Sequence, residues 1–162
     1  MNERALLRLR RAALAVVVGS VLTLAGAFYF ELVLGYAPCK LCLTERLPYY
    51  AAIPLGLLGL FASERLTRLL LGIAALGLLY GAGLSVYHAG AEWALWPGPT
   101  DCGGGTGQAP AAIGDFLDTL AKTRVADCST AAWRFLGVSL AGWNAVIAAI
   151  LASVAGTAAA RR

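Results

Sequence analysis

Apolar residues along this chain form long runs that are separated by short polar segments. Four runs approach or exceed the length of about 20 residues that a helix needs to cross a hydrocarbon core about 30 Å thick. They cover about residues 12–34, 43–62, 69–87 and 135–155. The pattern predicts an all-α membrane protein, with four transmembrane helices in one bundle forming a single membrane domain over residues 1–162.

Composition also favours a protein that lies in a lipid bilayer. The 162 residues are 59% hydrophobic and 14% charged, whereas an average soluble domain is about half apolar and a quarter charged. The mean hydropathy is +0.72. The net charge of +4 is small and its arginines are scattered, so we expect no nucleic-acid partner, which would need a basic face.

Basic residues predict the orientation, because they mark the cytoplasmic ends of spans. Both termini and the connection between spans two and three are rich in arginine, so we expect them to be cytoplasmic. The outer loops are then residues 35–42 and 88–134. The N-terminus has the ingredients of a secretory signal, but its apolar run continues to Leu34, which favours a retained anchor.

All four cysteines fall in these outer loops or at their edges: Cys39, Cys42, Cys102 and Cys128. Cysteines confined to one side indicate an oxidising compartment and disulfide chemistry. A four-thiolate zinc site is the alternative, but the second pair is spaced 26 residues apart, unlike the close pairs of zinc ribbons. We therefore expect no metal.

The long outer loop contains a second predicted element. A glycine- and proline-rich stretch, "WPGPTDCGGGTGQAP", precedes "AAIGDFLDTLAKTR", in which apolar residues recur at helical spacing. This pattern predicts a short amphipathic helix on the membrane surface. The alternative is a helix that only closes the loop.

Cys39 and Cys42 lie at the start of the second span, and Arg46 lies four residues after Cys42. A helix N-terminus stabilises a thiolate, and residues four apart share a helix face. A thiolate beside a guanidinium suits reduction of a quinone, whose carbonyl oxygens accept hydrogen bonds. Alternatively, the motif is a zinc half-site or a coincidence, and Arg46 extends its head to the interface.

Two further titratable residues lie near the same boundary. His88, the only histidine, is at the outer end of span three. It either anchors the helix end or moves protons during quinone reduction. Glu31, near the outer end of span one, has a weaker claim to a role.

The motifs "PCKLCLTER", "WPGPTDC", a later "DC" and "WRFLGVSLAGWNAVIA" together resemble the DsbB family, the quinone-dependent disulfide oxidases of the bacterial inner membrane. The resemblance implies that Cys39 and Cys42 are the quinone-coupled pair, with Cys42 in contact with the quinone. Arg46 supports the quinone, and His88 is included in the predicted quinone-binding set. Ubiquinone is favoured over menaquinone.

The resemblance also implies a protein partner. Cys102 and Cys128 match the pair that exchanges with a DsbA-like, thioredoxin-fold periplasmic protein, and Cys102 is expected to form the mixed disulfide. The implied enzyme is a multi-pass protein-disulfide:quinone oxidoreductase with its cysteine loops in the periplasm. The glycine-rich "CGGGTGQAP" departs from better-known members.

Two other functions are open at this point. A vitamin K epoxide reductase-like enzyme would share the helix bundle, the quinone and the thiol pair, but its pair is expected late in the bundle. A non-catalytic membrane protein would use its cysteines for two structural disulfides and would bind no quinone.

Overall fold

The computed structural model describes residues 3–99 and 128–161. Within these ranges the chain forms four long helices and one short hairpin. The helices are α1 (Glu3–Leu32), α2 (Lys40–Phe61), α3 (Glu64–Glu92) and α4 (Leu140–Ala160), and strands β1 (Arg134–Phe135) and β2 (Val138–Ser139) pair antiparallel just before α4. The predicted amphipathic helix, like Cys102, lies outside the described residues.

Three helices, α1, α3 and α4, are long and apolar enough to cross a membrane. The second helix is 22 residues long, but it carries Lys40, Glu45 and Arg46 in its first two turns and Pro48 and Pro54 further on. These residues lower its apolar content. The prediction of a mostly helical membrane protein is therefore confirmed, with three helices meeting the criteria for a span among the described residues.

Small residues bring the helices together. The core between them contains many alanines, among them Ala13, Ala52, Ala74 and Ala148, and large leucines and isoleucines cover much of the outer surface. Helices in lipid associate through close packing rather than through the hydrophobic effect, and small residues permit the close approach. At Gly56, a Cβ atom would lie only 2.5 Å from Val17 Cγ2, so α1 and α2 meet where a larger side chain would not fit.

The ends of the helices differ from the predicted spans. The fourth span was expected from residue 135, but Phe135 lies in the hairpin and α4 begins at Leu140. Leu136 and Gly137 form the turn with φ values of 53° and 80°, and the Ser139 side chain then caps α4 by accepting the Gly142 N–H. The apolar character of Phe135 and Leu136 had extended the predicted run.

The end of α3 also differs from the prediction. The helix continues to Glu92, beyond the predicted end at residue 87. His88 therefore lies within the last turns of a helix and not in the outer loop that was expected to begin there. The side chain of His88 is held in the bundle at the end where α2 begins. This position brings it to the thiol pair.

Candidate functional site

The Cys-x-x-Cys pair lies at the start of α2. Cys39 is the N-cap residue, and its Sγ accepts a hydrogen bond from the Cys42 backbone N–H at 3.3 Å. The Sγ atoms of Cys39 and Cys42 are 3.0 Å apart, and both cysteines are free thiols. The chain therefore places one sulfur at a helix N-terminus, where unpaired backbone N–H groups stabilise negative charge.

His88 connects this pair to a buried carboxylate. Its Nε2 atom is 3.7 Å from Cys39 Sγ, and its Nδ1 atom is 2.8 Å from Glu45 Oε1. Because a carboxylate is an acceptor, Nδ1 donates to Glu45 and Nε2 faces the thiol. Thiol, imidazole and carboxylate thus form one chain, in which the carboxylate orients the imidazole.

The chain of hydrogen bonds continues to the fourth helix. Asn144 Nδ2 donates to Glu45 Oε2 at 3.0 Å and to Ser85 Oγ at 2.7 Å, while Tyr49 OH donates to Asn144 Oδ1 at 2.7 Å. Both oxygens of the buried Glu45 carboxylate therefore have donors. A carboxylate inside the bundle needs such partners, because an unpaired buried charge is costly.

Sequence reasoning missed Glu45, Asn144, Tyr49 and Ser85. A signal was present for two of them, because Glu45 and Asn144 interrupt apolar runs, and polar residues within spans usually face the bundle interior and have partners. The partners themselves could not be read from the sequence.

The surroundings of Cys39 favour its thiolate. A hydrogen bond from the Cys42 thiol is the largest cause, and although burial opposes it, a further hydrogen bond from His88 contributes to lowering the pKa of Cys39 to about 4. The helix N-terminus acts in the same direction. Cys39 is thus the sulfur of the pair that this arrangement stabilises as an anion.

Arg46 lies one turn of α2 beyond Cys42, as predicted, and is paired within the bundle. Its Nη1 donates to Glu31 Oε2 at 2.6 Å, and its guanidinium carbon lies 5.1 Å from the centre of the Phe28 ring. The Arg46 side chain is only 11% exposed. Glu31, whose predicted role was weaker than that of His88, is therefore the residue that orients the Arg46 guanidinium.

A cavity of about 550 Å³ joins these groups. Its polar end is formed by both cysteines, Glu45, Arg46 and His88, and its apolar walls come mainly from α1 and α4, with Leu22, Ala27, Phe30, Trp143 and Ile147. Ligand pockets of this size typically combine apolar walls with a few placed polar groups. The cavity thus suits an apolar molecule with a polar head.

The second cysteine pair is described in part. Cys128 is buried and packs in one cluster with Cys39, and it is disulfide-bonded. Its predicted partner, Cys102, lies outside the described residues. The structure therefore brings three of the four predicted redox cysteines together, along with Arg46 and His88.

Comparison with known proteins places the chain among relatives of one kind. Residues 9–158 match the profile of the family described as "Disulfide bond formation protein DsbB". Disulfide bond formation protein B of Marinobacter nauticus is 37% identical over 147 residues, covering 79% of this chain and 78% of that protein. Disulfide bond formation protein B 2 of Pseudomonas aeruginosa is 34% identical over 137 residues, covering 80% and 78%.

A third relative, disulfide bond formation protein B of Pasteurella multocida, is 31% identical over 155 residues, covering 87% of this chain and 80% of that protein. No solved structure matches the chain. The family profile spans both the Cys-x-x-Cys helix and the hairpin that leads into α4. The profile match over nearly the whole chain, together with helices long and apolar enough to cross a membrane, shows that this chain belongs to the DsbB family of disulfide bond formation proteins.

Proposed function

We propose that this protein is a membrane disulfide oxidase that reoxidises a DsbA-like, thioredoxin-fold protein and passes the electrons to a membrane quinone. The observation that carries the proposal is the position of Cys39. Its sulfur lies 3.0 Å from Cys42 Sγ, and the residue packs against Cys128 at the polar end of a large cavity. One cysteine is thus in reach of both the loop pair and the cavity.

The relay begins with thiol–disulfide exchange. The dithiol of the partner attacks the Cys102–Cys128 disulfide, becomes a disulfide itself and leaves two loop thiols. These thiols then reduce the Cys39–Cys42 disulfide, which restores the loop disulfide. Free thiols at Cys39 and Cys42 beside a disulfide-bonded Cys128 correspond to the state after this second exchange.

The cavity residues fit a quinone. A bound quinone would accept two electrons and two protons. We propose ubiquinone rather than menaquinone as this acceptor. Arg46 would donate a hydrogen bond to a carbonyl oxygen of the quinone, and the apolar walls of the cavity would hold its ring and the start of its isoprenoid chain. Cys42 lies on the Arg46 face of α2 and is the sulfur expected to face the ring.

In this proposal His88 accepts the proton that the Cys39 thiol loses, and Glu45 stabilises the imidazolium that forms. With Nδ1–H donated to Glu45, the Nε2 atom accepts the proton of the Cys39 thiol. The imidazolium formed lies against the Glu45 carboxylate, which compensates its charge. His88 is therefore a proton acceptor at the polar end of the cavity in this proposal.

The placement in the membrane follows from the charges and the fold. We infer that α2 is the fourth span, since it packs between α1 and α3, and that the chain lies in the bacterial inner membrane. The arginine-rich termini and the α2–α3 connection face the cytoplasm. The thiol pair, the hairpin and the outer loops then face the periplasm.

Quinone reduction by the purified protein in detergent tests the proposal. The donor is a reduced thioredoxin-fold periplasmic protein, and quinone absorbance reports turnover. We expect turnover in the wild-type protein, none in Cys42→Ser, and normal turnover in Leu43→Ala, whose exposed side chain neighbours Cys42. Unchanged turnover in Cys42→Ser would contradict the relay, and no turnover with any quinone would instead support purely structural disulfides.

A further inference from the structure

The thiol pair and His88 also form a compact set of metal-binding atoms. The sulfurs of Cys39 and Cys42 and a ring nitrogen of His88 all lie within 4.8 Å of one another. In a tetrahedral zinc site, bonds of about 2.3 Å to sulfur and about 2.0 Å to nitrogen separate the ligand atoms by about 3.5 to 3.8 Å. The distance from Cys39 Sγ to His88 Nε2, 3.7 Å, already fits.

Zinc geometry requires the two sulfurs to separate, and Cys42 Sγ has to come to about 3.5 Å from the His88 nitrogen, from which it is now at most 4.8 Å away. The sulfurs are 3.0 Å apart, so the increase needed to reach zinc geometry is below about 1 Å. A rotation of the half-buried Cys42 side chain can provide it, because the cavity lies on that side of the pair. The backbone, fixed by the helix N-terminus, does not have to move.

His88 is oriented as a zinc ligand would be. Zinc-bound imidazoles usually donate their second ring N–H to a carboxylate, which fixes the tautomer and the plane of the ring. Glu45 occupies this position, 2.8 Å from Nδ1, and its other oxygen accepts from Asn144. The Nε2 lone pair is thereby directed toward the thiols.

A candidate fourth ligand lies nearby, outside the set of atoms that are all within 4.8 Å of one another. Glu92 lies one turn after His88 on α3, and its Oε1 atom is 4.0 Å from His88 Nε2. Its side chain is only 6% exposed, and its Oε2 atom has no hydrogen-bond partner among the described residues. A buried carboxylate oxygen without a donor, one helical turn after the imidazole, is an observation that the redox relay does not use.

We propose that the reduced form of this site binds a soft divalent cation of the Zn²⁺ type through Cys39, Cys42 and His88, with Glu92 in the fourth position. Binding releases two protons, the thiol proton of Cys42 and the proton that Cys39 has passed to His88, and it transfers no electrons. Two thiolates balance the charge of the cation and the Glu92 carboxylate adds one negative charge, so the buried complex carries no uncompensated positive charge. The disulfide form has no thiolates to offer, so the site exists only after reduction.

This site differs from the four-thiolate site that the sequence argued against, because it uses one cysteine pair and the histidine. It is also not a resident cofactor site. A cation bound here occupies the sulfurs that the relay needs, so it blocks reoxidation of the pair until it is removed. Metal and electron acceptor therefore compete for the same reduced state.

Zinc binding to the purified full-length protein tests the proposal without any turnover assay. The reduced and the oxidised protein are titrated with Zn²⁺ against a chromogenic chelator. We expect one Zn²⁺ per reduced chain and none per oxidised chain. His88→Ala should lower the affinity at least tenfold, and Glu45→Gln about tenfold through loss of the outer carboxylate, whereas Glu64→Gln, at the opposite end of α3, should have no effect.

Cobalt gives a spectroscopic readout in the wild-type protein itself, where no substitution can affect folding. Co²⁺ bound to the reduced wild-type protein should show a thiolate-to-metal charge-transfer band in the near ultraviolet, and Cys42→Ser should retain about half of it. Equal Zn²⁺ affinity in oxidised and reduced protein, or no such Co²⁺ band, would overturn the proposal. Either result leaves the quinone relay untouched, since that relay is tested by turnover alone.

Discussion

Arg46 on α2 and Glu31 on α1 form an ion pair with 2.6 Å between Nη1 and Oε2. The pair connects two helices beside the cavity, and it leaves the remaining guanidinium N–H groups for another acceptor. Arg46 is therefore a charged group that is already oriented before any ligand arrives. An arginine reaching for the interface would not have this partner.

Replacing Arg46 should weaken quinone binding. In Arg46→Ala we expect the KM for quinone to rise about 10- to 100-fold, since a charge-assisted hydrogen bond is worth about 1.5–3 kcal/mol. Exchange between the loop cysteines and the thioredoxin-fold donor should be unchanged. Arg68→Ala is the matched control, because Arg68 pairs with Glu64 at the other end of the bundle. An unaltered KM in Arg46→Ala would remove Arg46 from the quinone site.

Tyr49→Phe should destabilise the bundle. The substitution removes the donor to Asn144 Oδ1 and leaves a buried acceptor without its partner, which costs about 1–3 kcal/mol. Unfolding by a denaturing detergent, followed by circular dichroism, measures the change. Tyr80→Phe should have little effect, because Tyr80 is 65% exposed. Equal stabilities of the two variants would mean that the Asn144 bond contributes nothing.

The alkylation of Cys39 should remain fast in acid. A lowered pKa keeps the thiolate populated at every pH above about 4, whereas an ordinary thiol loses it below about pH 8.5. Iodoacetamide should therefore modify Cys39 of the reduced protein at a nearly constant rate from pH 8 to pH 5, and the rate should fall as the pH drops through about 4. Mass spectrometry of the modified peptide measures this rate.

The donor from Cys42 can be tested in the same assay. In Cys42→Ala the Cys39 thiolate loses the hydrogen bond that contributes most to its lowered pKa, so the fall in rate should move to higher pH. Cys42→Ser keeps a hydroxyl donor and should shift it less. A Cys42→Ala profile identical to that of the wild-type protein would show that the helix N-terminus and His88 are sufficient.

Gly56→Ala should separate α1 from α2. A Cβ atom there would approach Val17 Cγ2 to 2.5 Å and the Ala13 carbonyl oxygen to 3.2 Å, and overpacking of this kind costs about 1–3 kcal/mol. Detergent unfolding should show the loss. Gly72→Ala is the control, since nothing lies within 4 Å of its Cβ position, and it should leave stability unchanged or raise it. A stable Gly56→Ala would mean that the helices can move apart freely.

Much of the architecture could be predicted from run lengths and helical spacing. Three predicted spans overlap helices that can cross a bilayer. The four-residue spacing predicted that Cys42 and Arg46 share a helix face, and both line the same cavity. The match over residues 9–158 also decides for the DsbB family over a vitamin K epoxide reductase-like enzyme. These features depend on local periodicity and on motifs that a single sequence carries.

The hydrogen-bond chain could not be predicted in this way. Glu45, His88 and Asn144 belong to three different helices, and their contact depends on how each helix is rotated and shifted along its axis. Periodicity determines which face is apolar but not which partner the polar residue meets. The hairpin before α4 was missed for a related reason, because Phe135 and Leu136 are apolar whether or not they are helical.

In the proposed relay, the N-cap of α2 is a sulfur that changes its bonding each time the thiol pair is reduced and reoxidised. Cys39 Sγ accepts the Cys42 amide as a free thiol, and it accepts more weakly once it shares electrons with a second sulfur. We therefore expect the first turn of the helix to be held more tightly after reduction than after oxidation. The hydrogen-exchange rate of the Cys42 amide should therefore differ between the reduced and the oxidised protein. This rate would report the redox state of the thiol pair without an added label.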